Sequence, residues 1–148
     1  MPRSSLREYT VPVVADWRIV ARDIAATLKP KDILALQGPL GAGKTTFVQA
    51  LAAAMGAQKT PKSPTFSMLR TYAVKQGTIR RLLHVDAYRI EYERDLVPLD
   101  LDEELAEGDA ILVLEWPENV QKWLKGRAVK TLRISIKGEC REVTLMAT

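Results

Sequence analysis

The sequence contains a single cysteine, a single histidine and no long apolar run. One cysteine, Cys140, excludes an internal disulfide and a cysteine-based metal cluster. No stretch approaches the roughly 20 apolar residues that a membrane-spanning helix needs. Residues 1–5 lack the apolar core of a secretion signal. These absences predict a soluble, cytoplasmic protein.

The overall composition is that of an ordinary globular domain. The 148 residues are 47% apolar and 27% charged, with a formal net charge of +4, and such values do not indicate disorder. A chain of this length is most simply one domain, so we expect a single domain over residues 1–148 with its core at about residues 9–146.

The most informative stretch is a glycine-rich loop between a strand-like apolar run and a helix-forming run. Gly38, Gly43, Lys44 and Thr45 spell the pattern G-x-x-x-x-G-K-[ST]. The glycines allow successive backbone N–H groups to point at an anion, and the following helix adds the positive end of its dipole. In such a loop the lysine meets the β- and γ-phosphates and the hydroxyl ligates Mg²⁺. The pattern therefore predicts a site for a nucleoside triphosphate with Mg²⁺.

We expect the loop and one aromatic residue to contact the bound nucleotide. The aromatic residue, Trp116, lies at the mouth of the predicted site, although core packing would explain it equally well. The full predicted set is Gly38, Leu40, Gly41, Ala42, Gly43, Lys44, Thr45, Thr46 and Trp116.

A phosphate-binding loop also needs a carboxylate at the end of a neighbouring strand to hold Mg²⁺. Two acidic residues follow apolar runs, Asp86 after residues 82–85 and Glu115 after residues 111–114. The run before Glu115 is longer and purely apolar, so we assign Glu115 to the metal together with Thr45. Asp86 is assigned to water positioning or to a water-mediated metal contact. The alternative is that both acids merely meet solvent at strand ends.

Three further features have both a chemical and a structural interpretation. Ser63–Phe66 is a proline-containing segment in which Thr65 would sense the γ-phosphate or Mg²⁺, or else it is an ordinary connection. His84 is more simply a strand residue with a satisfied hydrogen bond than a catalyst. Arg89 would neutralise transition-state charge, although a salt bridge is its more common use. We include Lys44, Asp86, Glu115 and Thr65 as the predicted catalytic residues.

Helix and strand patterns alternate around the loop. Residues 9–14 are predicted to form an edge strand, because Pro12 is unfavourable in a central one. The other predicted strands are 33–36, 67–74, 78–85, 110–114, 129–136 and 142–146, and the predicted helices are 16–28, the run ending near residue 55, 100–106 and 118–124. This order predicts an α/β fold: a single P-loop NTPase domain whose central, partly parallel sheet carries antiparallel additions, with helices on both faces.

Several motifs of nucleotide-binding proteins are missing from the sequence. It has no N-K-x-D guanine-reading motif, no L-S-G-G signature and no arginine-rich lid, which argues against a Ras-like GTPase, an ABC ATPase and many small-molecule kinases. Basic residues are frequent near the C-terminus, where they form either a solvated surface or a nucleic-acid contact. They are Lys122, Lys125, Arg127, Lys130, Arg133, Lys137 and Arg141.

The glycine-rich loop, Ser63–Phe66, the His84-x-Asp86-x-Tyr88-Arg89 segment and Glu115-Trp116 occur in an order that resembles the TsaE (YjeE) family. This family is the ATPase subunit of the bacterial machinery for tRNA N6-threonylcarbamoyladenosine (t6A) modification. The resemblance covers residues 16–123, with a looser match in the C-terminal strands.

The resemblance implies a weak ATPase with ATP and Mg²⁺ as ligands. It also implies two protein partners, the threonylcarbamoyl transferase and its paralogue-like companion, with tRNA contacted indirectly. Lys44, Thr45, Asp86 and Glu115 match the family's nucleotide and metal positions, and Thr65 matches its switch-like segment. One departure is Pro39, where the family usually has an acidic residue. Because that position contributes mainly backbone, we expect only a modest change in nucleotide affinity.

Two other functions fit the residues. A small P-loop kinase would need an acceptor and show little hydrolysis without it. A nucleotide-binding adaptor would have negligible turnover, so that changes at Asp86 and Glu115 would alter partner binding without altering chemistry.

Overall fold

The computed structural model describes residues 6–58 and 68–147. These residues form a seven-stranded sheet with helices packed against it. The strands are β1 (Leu6–Val11), β2 (Ile33–Gln37), β3 (Leu69–Gln76), β4 (Ile79–Asp86), β5 (Ala110–Glu115), β6 (Lys130–Lys137) and β7 (Cys140–Ala147). The helices are α1 (Trp17–Ala25), α2 (Lys44–Ala54), α3 (Leu101–Ala106) and α4 (Gln121–Leu124), with 3-10 turns at Val14–Asp16, Glu93–Leu99 and Pro117–Val120.

The sheet is parallel at its centre and antiparallel at both sides. Its order is β1-β7-β6-β2-β5-β4-β3. Strand β2 is parallel to β5 and β6, and β4 is parallel to β5. The additions are antiparallel: β3 on β4, and β7 between β6 and β1. The predicted α/β class with a partly parallel sheet is confirmed.

The two central strands are apolar along their length because both faces of the sheet are covered. On one face α1 and α2 pack on the sheet, where Ile24, Phe47 and Leu51 meet Leu34 and Ile111 in one buried cluster. On the other face a second cluster joins α3 and the 3-10 turns to β4 and β5. The prediction of helices on both faces is confirmed. Because β2, β4 and β5 are parallel, their carboxyl ends lie together at one edge of the sheet.

The edge strand is correctly predicted in position but not in its bounds. Strand β1 lies at the edge of the sheet, paired with β7. It covers residues 6–11 rather than 9–14, because Pro12 has no N–H to donate to the ladder and ends the strand.

The first helix begins as predicted and ends early. It starts at Trp17, directly after Asp16, although the Asp16 side chain makes no capping hydrogen bond. It ends at Ala25 rather than at Leu28. The chain tightens there because the Thr27 hydroxyl and backbone N–H both donate to the Ile24 carbonyl, at 2.7 and 2.9 Å.

The remaining elements agree with the predictions except at their ends. Helix α2 starts at Lys44 itself and is followed by Gly56 at φ 91°. The strands predicted at 67–74 and 78–85 are present as β3 and β4 and form a hairpin with Gly77 at φ 58° in its turn, although residue 67 lies outside the described part of the chain. The predicted helix over residues 118–124 is wrong in its first half, which is a 3-10 turn that begins at Pro117. The final strands are 130–137 and 140–147 instead of 129–136 and 142–146.

None of the helices within residues 6–58 and 68–147 is long and apolar enough to cross a membrane.

Candidate functional site

The glycine-rich loop connects β2 to α2 at the carboxyl edge of the sheet. Gly41 and Gly43 have φ values of 80° and 106°, a region that other residues adopt only with strain. Gly43 is the N-cap of α2, so the loop delivers the chain into the positive end of an 11-residue helix. At Gly38 a side chain is excluded, because a Cβ would lie 2.8 Å from the Ile134 carbonyl oxygen. The loop is therefore built to curl over β6 and to receive an anion.

Lys44 is the positive charge of this loop, and its side chain is held from two sides. Its Nζ donates to the Gly38 carbonyl at 2.7 Å and lies 3.7 Å from the ring centroid of Trp116. Burial lowers the pKa of Lys44, while the charges of Glu115, Glu118 and Asp86 act in the opposite direction. A buried ammonium with one carbonyl and one aromatic partner is poised to exchange them for a stronger, anionic partner.

Two carboxylates stand beside Lys44 at the ends of adjacent strands. Asp86 and Glu115 are register partners at the last positions of β4 and β5. Because side chains alternate along a strand, both lie on the face that α2 covers. Glu115 is 3% exposed, whereas Asp86 is exposed and its Oδ1 accepts the Tyr88 backbone N–H at 3.0 Å. The site thus has one buried and one solvent-facing carboxylate.

The buried carboxylate has a partner that the sequence interpretation did not identify. The Nε2 atom of His84 lies 2.6 Å from Oε2 of Glu115, and the two side chains are 4% and 5% exposed. His84 Nδ1 is buried without a hydrogen-bond partner. His84 was predicted to be a strand residue with a satisfied hydrogen bond, and its partner was not predicted. The available signal was that His84 precedes Asp86 by two positions in one strand, which places both on the same face.

The loop, Lys44 and the two carboxylates line one cleft of about 310 Å³. Most of the predicted nucleotide and catalytic residues are found there, and Tyr88 is an addition that was not predicted. Gly38 and Ala42 are not among the lining residues: the Gly38 carbonyl accepts a hydrogen bond from Lys44, and Ala42 is fully buried. The lining residues are Leu40, Gly41, Gly43, Lys44, Thr45, Thr46, Asp86, Tyr88, Glu115 and Trp116.

An aromatic pair forms one wall of the cleft. Tyr88 and Trp116 have ring centroids 5.0 Å apart, and Trp116 has a left-handed φ of 61°, which turns the chain sharply after β5. Asn119 fixes the pair, since its Nδ2 donates to the Ala87 carbonyl at 2.9 Å while its backbone N–H bonds to the Trp116 carbonyl at 3.1 Å. Trp116 is thereby part of the site wall, and it also packs against the second core cluster.

The donor atoms in the cleft are of the kind that binds Mg²⁺, and they would supply only part of its ligands. Thr45, Asp86 and Glu115 offer hydroxyl and carboxylate oxygens, the ligands of a hard cation. Among residues 6–58 and 68–147, no group of three or more His, Cys, Asp or Glu side chains is arranged to hold an ion. A cation here would need additional oxygens from phosphates and water, as is usual for Mg²⁺.

Two of the predicted features stay untested or fall outside the cleft. Thr65, with the rest of Ser63–Phe66, lies outside the described residues. Arg89 is exposed in the loop after β4 and is not part of the cleft lining. The basic C-terminal residues are partly neutralised within the fold, because Arg127, Lys130 and Lys137 pair with Asp102, Asp32 and Glu142.

A second cavity of about 430 Å³ continues from the cleft on the other side of the loop. It shares Gly41, Gly43 and Thr46 with the cleft, and its remaining walls come from residues 11–14, Trp17, Ala42, Glu139 and Arg141. The Arg141 guanidinium donates to the Gly41 carbonyl at 3.4 Å. The two cavities thus meet at the glycine-rich loop, which contributes residues to both.

A buried parallel strand, a glycine-rich anion-binding loop and a helix beginning with Lys-Thr define this protein as a P-loop domain. Its family follows from comparison with known proteins. The family model for "Threonylcarbamoyl adenosine biosynthesis protein TsaE" matches residues 12–143. The chain belongs to the TsaE family.

Curated relatives and a solved structure agree with this assignment. The chain is 32% identical to the "tRNA threonylcarbamoyladenosine biosynthesis protein TsaE" of Bacillus subtilis over 132 residues, 89% of this chain and 80% of the relative. It is 35% identical to the protein of the same name from Treponema pallidum, covering 88% and 91% of the two chains. The crystal structure of Bacillus subtilis YdiB superposes with a TM-score of 0.75 and 26% identity, over 99% of this chain and 88% of that one.

Proposed function

We propose that this protein binds and hydrolyses ATP with Mg²⁺, and that it thereby supports the tRNA threonylcarbamoyladenosine modification for which its relatives are named. The observation that carries the proposal is the convergence of Lys44, Thr45, Asp86 and Glu115 on one cleft at the mouth of the P-loop. A cation, a hydroxyl and two carboxylates around an anion-binding loop are the groups that phosphoryl transfer requires.

The phosphates enter the cleft at the N-terminus of α2. Lys44 leaves the Gly38 carbonyl and the Trp116 ring and pairs with the β- and γ-phosphates, because an ion pair with an anionic oxygen is stronger than a contact with a neutral carbonyl or an aromatic ring. The backbone N–H groups of the loop bind the same phosphates without moving, since Gly41 and Gly43 already hold the required left-handed conformation.

The hydroxyl and the carboxylates complete the site around the terminal phosphate. Thr45 and Glu115 would hold Mg²⁺, which when bound would neutralise part of the negative charge of the phosphates. The exposed carboxylate of Asp86 orients the attacking water, and its bond from the Tyr88 N–H keeps it at the cleft. The ribose and base extend into the second cavity, where the side chains of residues 11–14 offer an apolar wall.

The proposed partners are the threonylcarbamoyl transferase and its companion protein. The described residues that line the cleft include few catalytic groups and no arginine that could contact the phosphates. This composition fits a slow enzyme that depends on a partner. Exposed apolar side chains at the cleft rim, Leu40 at 64% and Tyr88 at 47%, offer contact area for such a partner. Contact with tRNA would then be indirect.

The test is Mg²⁺-dependent phosphate release from ATP, measured for the protein alone and then with the two partner proteins and tRNA. We expect slow release alone and faster release with partners. Lys44→Ala should abolish both rates, whereas Lys29→Ala, which removes an exposed lysine outside the cleft lining, should leave both unchanged. Release that ignores the partners, or that appears only with a small hydroxyl acceptor, would favour the kinase; binding without turnover would favour the adaptor.

A further inference from the structure

Three polar side chains are buried in the described part of the chain, namely Lys44, His84 and Glu115. Two of them have roles in the proposed function, and the third, His84, has none so far. Burying a carboxylate such as Glu115 is costly unless donors satisfy it.

His84 is the observed partner of Glu115. The two residues lie on adjacent parallel strands, where His84 pairs with Val113, two positions before Glu115. Their side chains meet diagonally on the face under α2, with Nε2 and Oε2 2.6 Å apart. Since a carboxylate only accepts hydrogen bonds, the histidine donates from Nε2. Oε2 of Glu115 is thus tied to β4, and Oε1 is the oxygen left free of this bond.

Lys44 is a second possible partner for the carboxylate, because it lines the same cleft. Among the carboxylates that raise the pKa of Lys44, Glu115 has the largest effect, and both side chains line the same cleft. A buried carboxylate that lost its histidine would gain most by turning to this ammonium. Such a pair would turn the carboxylate away from the position of the metal.

We propose that His84 is a positioning residue that holds Glu115 toward the Mg²⁺ of bound nucleotide and away from Lys44. This inference rests on the proposed function. Residues that orient a metal ligand through a hydrogen bond contribute about 10–100-fold to metal affinity. The contribution of His84 therefore belongs to the Mg²⁺-dependent part of nucleotide affinity.

The experiment compares ATP dissociation constants in Mg²⁺ and in EDTA by titration calorimetry. His84→Phe removes the donor and keeps a ring, whereas His84→Gln keeps an N–H donor at a similar reach. Leu82→Ala is the matched control, because Leu82 is fully buried two positions earlier on the same face of β4. Leu82→Ala should destabilise the protein as the loss of a buried leucine does, and it leaves the hydrogen bond of Glu115 in place.

We expect the affinity gain from Mg²⁺ to fall by about 10–100-fold in His84→Phe. The gain should return to within a few-fold of wild type in His84→Gln and be unchanged in Leu82→Ala. An unchanged gain in His84→Phe would overturn the inference, and so would an equal loss in His84→Gln or in Leu82→Ala, since either result assigns the effect to packing. If His84→Phe does not fold, His84→Asn replaces it, because its shorter amide does not reach Oε2 and should lose the gain.

Failure of the proposed function would look different. Wild-type protein would then show no Mg²⁺-dependent gain in ATP affinity at all. A wild-type gain that His84→Phe leaves intact contradicts only the role of His84.

Discussion

Two glycines of the phosphate loop provide a matched test of the loop geometry. Gly43 has φ 106°, and a Cβ at this position would lie 2.8 Å from Cζ2 and 3.1 Å from Nε1 of Trp17. Gly41 has φ 80°, and no atom lies within 4 Å of its hypothetical Cβ. Alanine therefore meets backbone strain at both positions but a steric clash only at Gly43.

The two costs can be estimated separately. A left-handed conformation costs an L-residue about 1–2 kcal/mol, and that is the whole expected loss for Gly41→Ala. Overpacking adds about 1–3 kcal/mol, so Gly43→Ala should lose about 2–5 kcal/mol. The indole cannot move aside cheaply, because Trp17 is 3% exposed and its ring packs edge-on against Phe47 at 5.9 Å.

The assay is urea unfolding followed by far-ultraviolet circular dichroism. A double-mutant cycle adds Trp17→Phe, which removes the part of the indole that carries Cζ2 and Nε1. We expect a favourable coupling of about 1–2 kcal/mol between Gly43→Ala and Trp17→Phe, and none between Gly41→Ala and Trp17→Phe. Equal losses for Gly41→Ala and Gly43→Ala, or no coupling with Trp17→Phe, would refute this reasoning.

Three further predictions concern two residues whose hydrogen bonds stabilise the fold, and the fluorescence of Trp116. Hydrogen bonds from Tyr9 and Arg7 lower the pKa of Asp23. The stability that Asp23 contributes is therefore present above its unfolded pKa and is lost as pH falls through the lowered value. Asp23→Asn should lower the free energy of unfolding in urea by about 0.5 kcal/mol at pH 7 and leave it unchanged at about pH 2. Asn119→Ala should cost about 0.5–1.5 kcal/mol by the same assay, because it removes one hydrogen bond to the Ala87 carbonyl, which keeps the bond from the Ile90 N–H; wild-type stability would contradict this. Mg²⁺ and ATP should change the fluorescence of Trp116 as the ammonium leaves its ring, and a signal that persists in Trp116→Phe would exclude this origin.

The parts of the site that were predictable depend on local sequence. The glycine-rich loop is recognisable from the spacing of Gly38, Gly43 and Lys44 within one short stretch. Asp86 and Glu115 were also identifiable, because each follows an apolar run and the carboxyl ends of parallel strands share one edge. The observed register places them side by side.

The parts that were not predictable depend on how distant elements meet. The bond between His84 and Glu115 requires β4 and β5 to be neighbours in one register, and the sequence does not specify strand order. The contact of Trp17 with Gly43 likewise arises from α1 packing on α2. The early end of α1 has a local cause, because the Thr27 hydroxyl competes for a backbone carbonyl. The periodicity of apolar residues gives no information about this hydrogen bond.

The measurement that tests the central claim most directly is titration calorimetry of ATP into wild type, Lys44→Ala and Glu115→Gln, each in Mg²⁺ and in EDTA. We predict that Lys44→Ala weakens binding at least about tenfold in both buffers, since it removes a charge-assisted bond to phosphate. Glu115→Gln should lose only the gain from Mg²⁺. Wild-type affinity in Lys44→Ala would contradict the assignment of this cleft as the phosphate site.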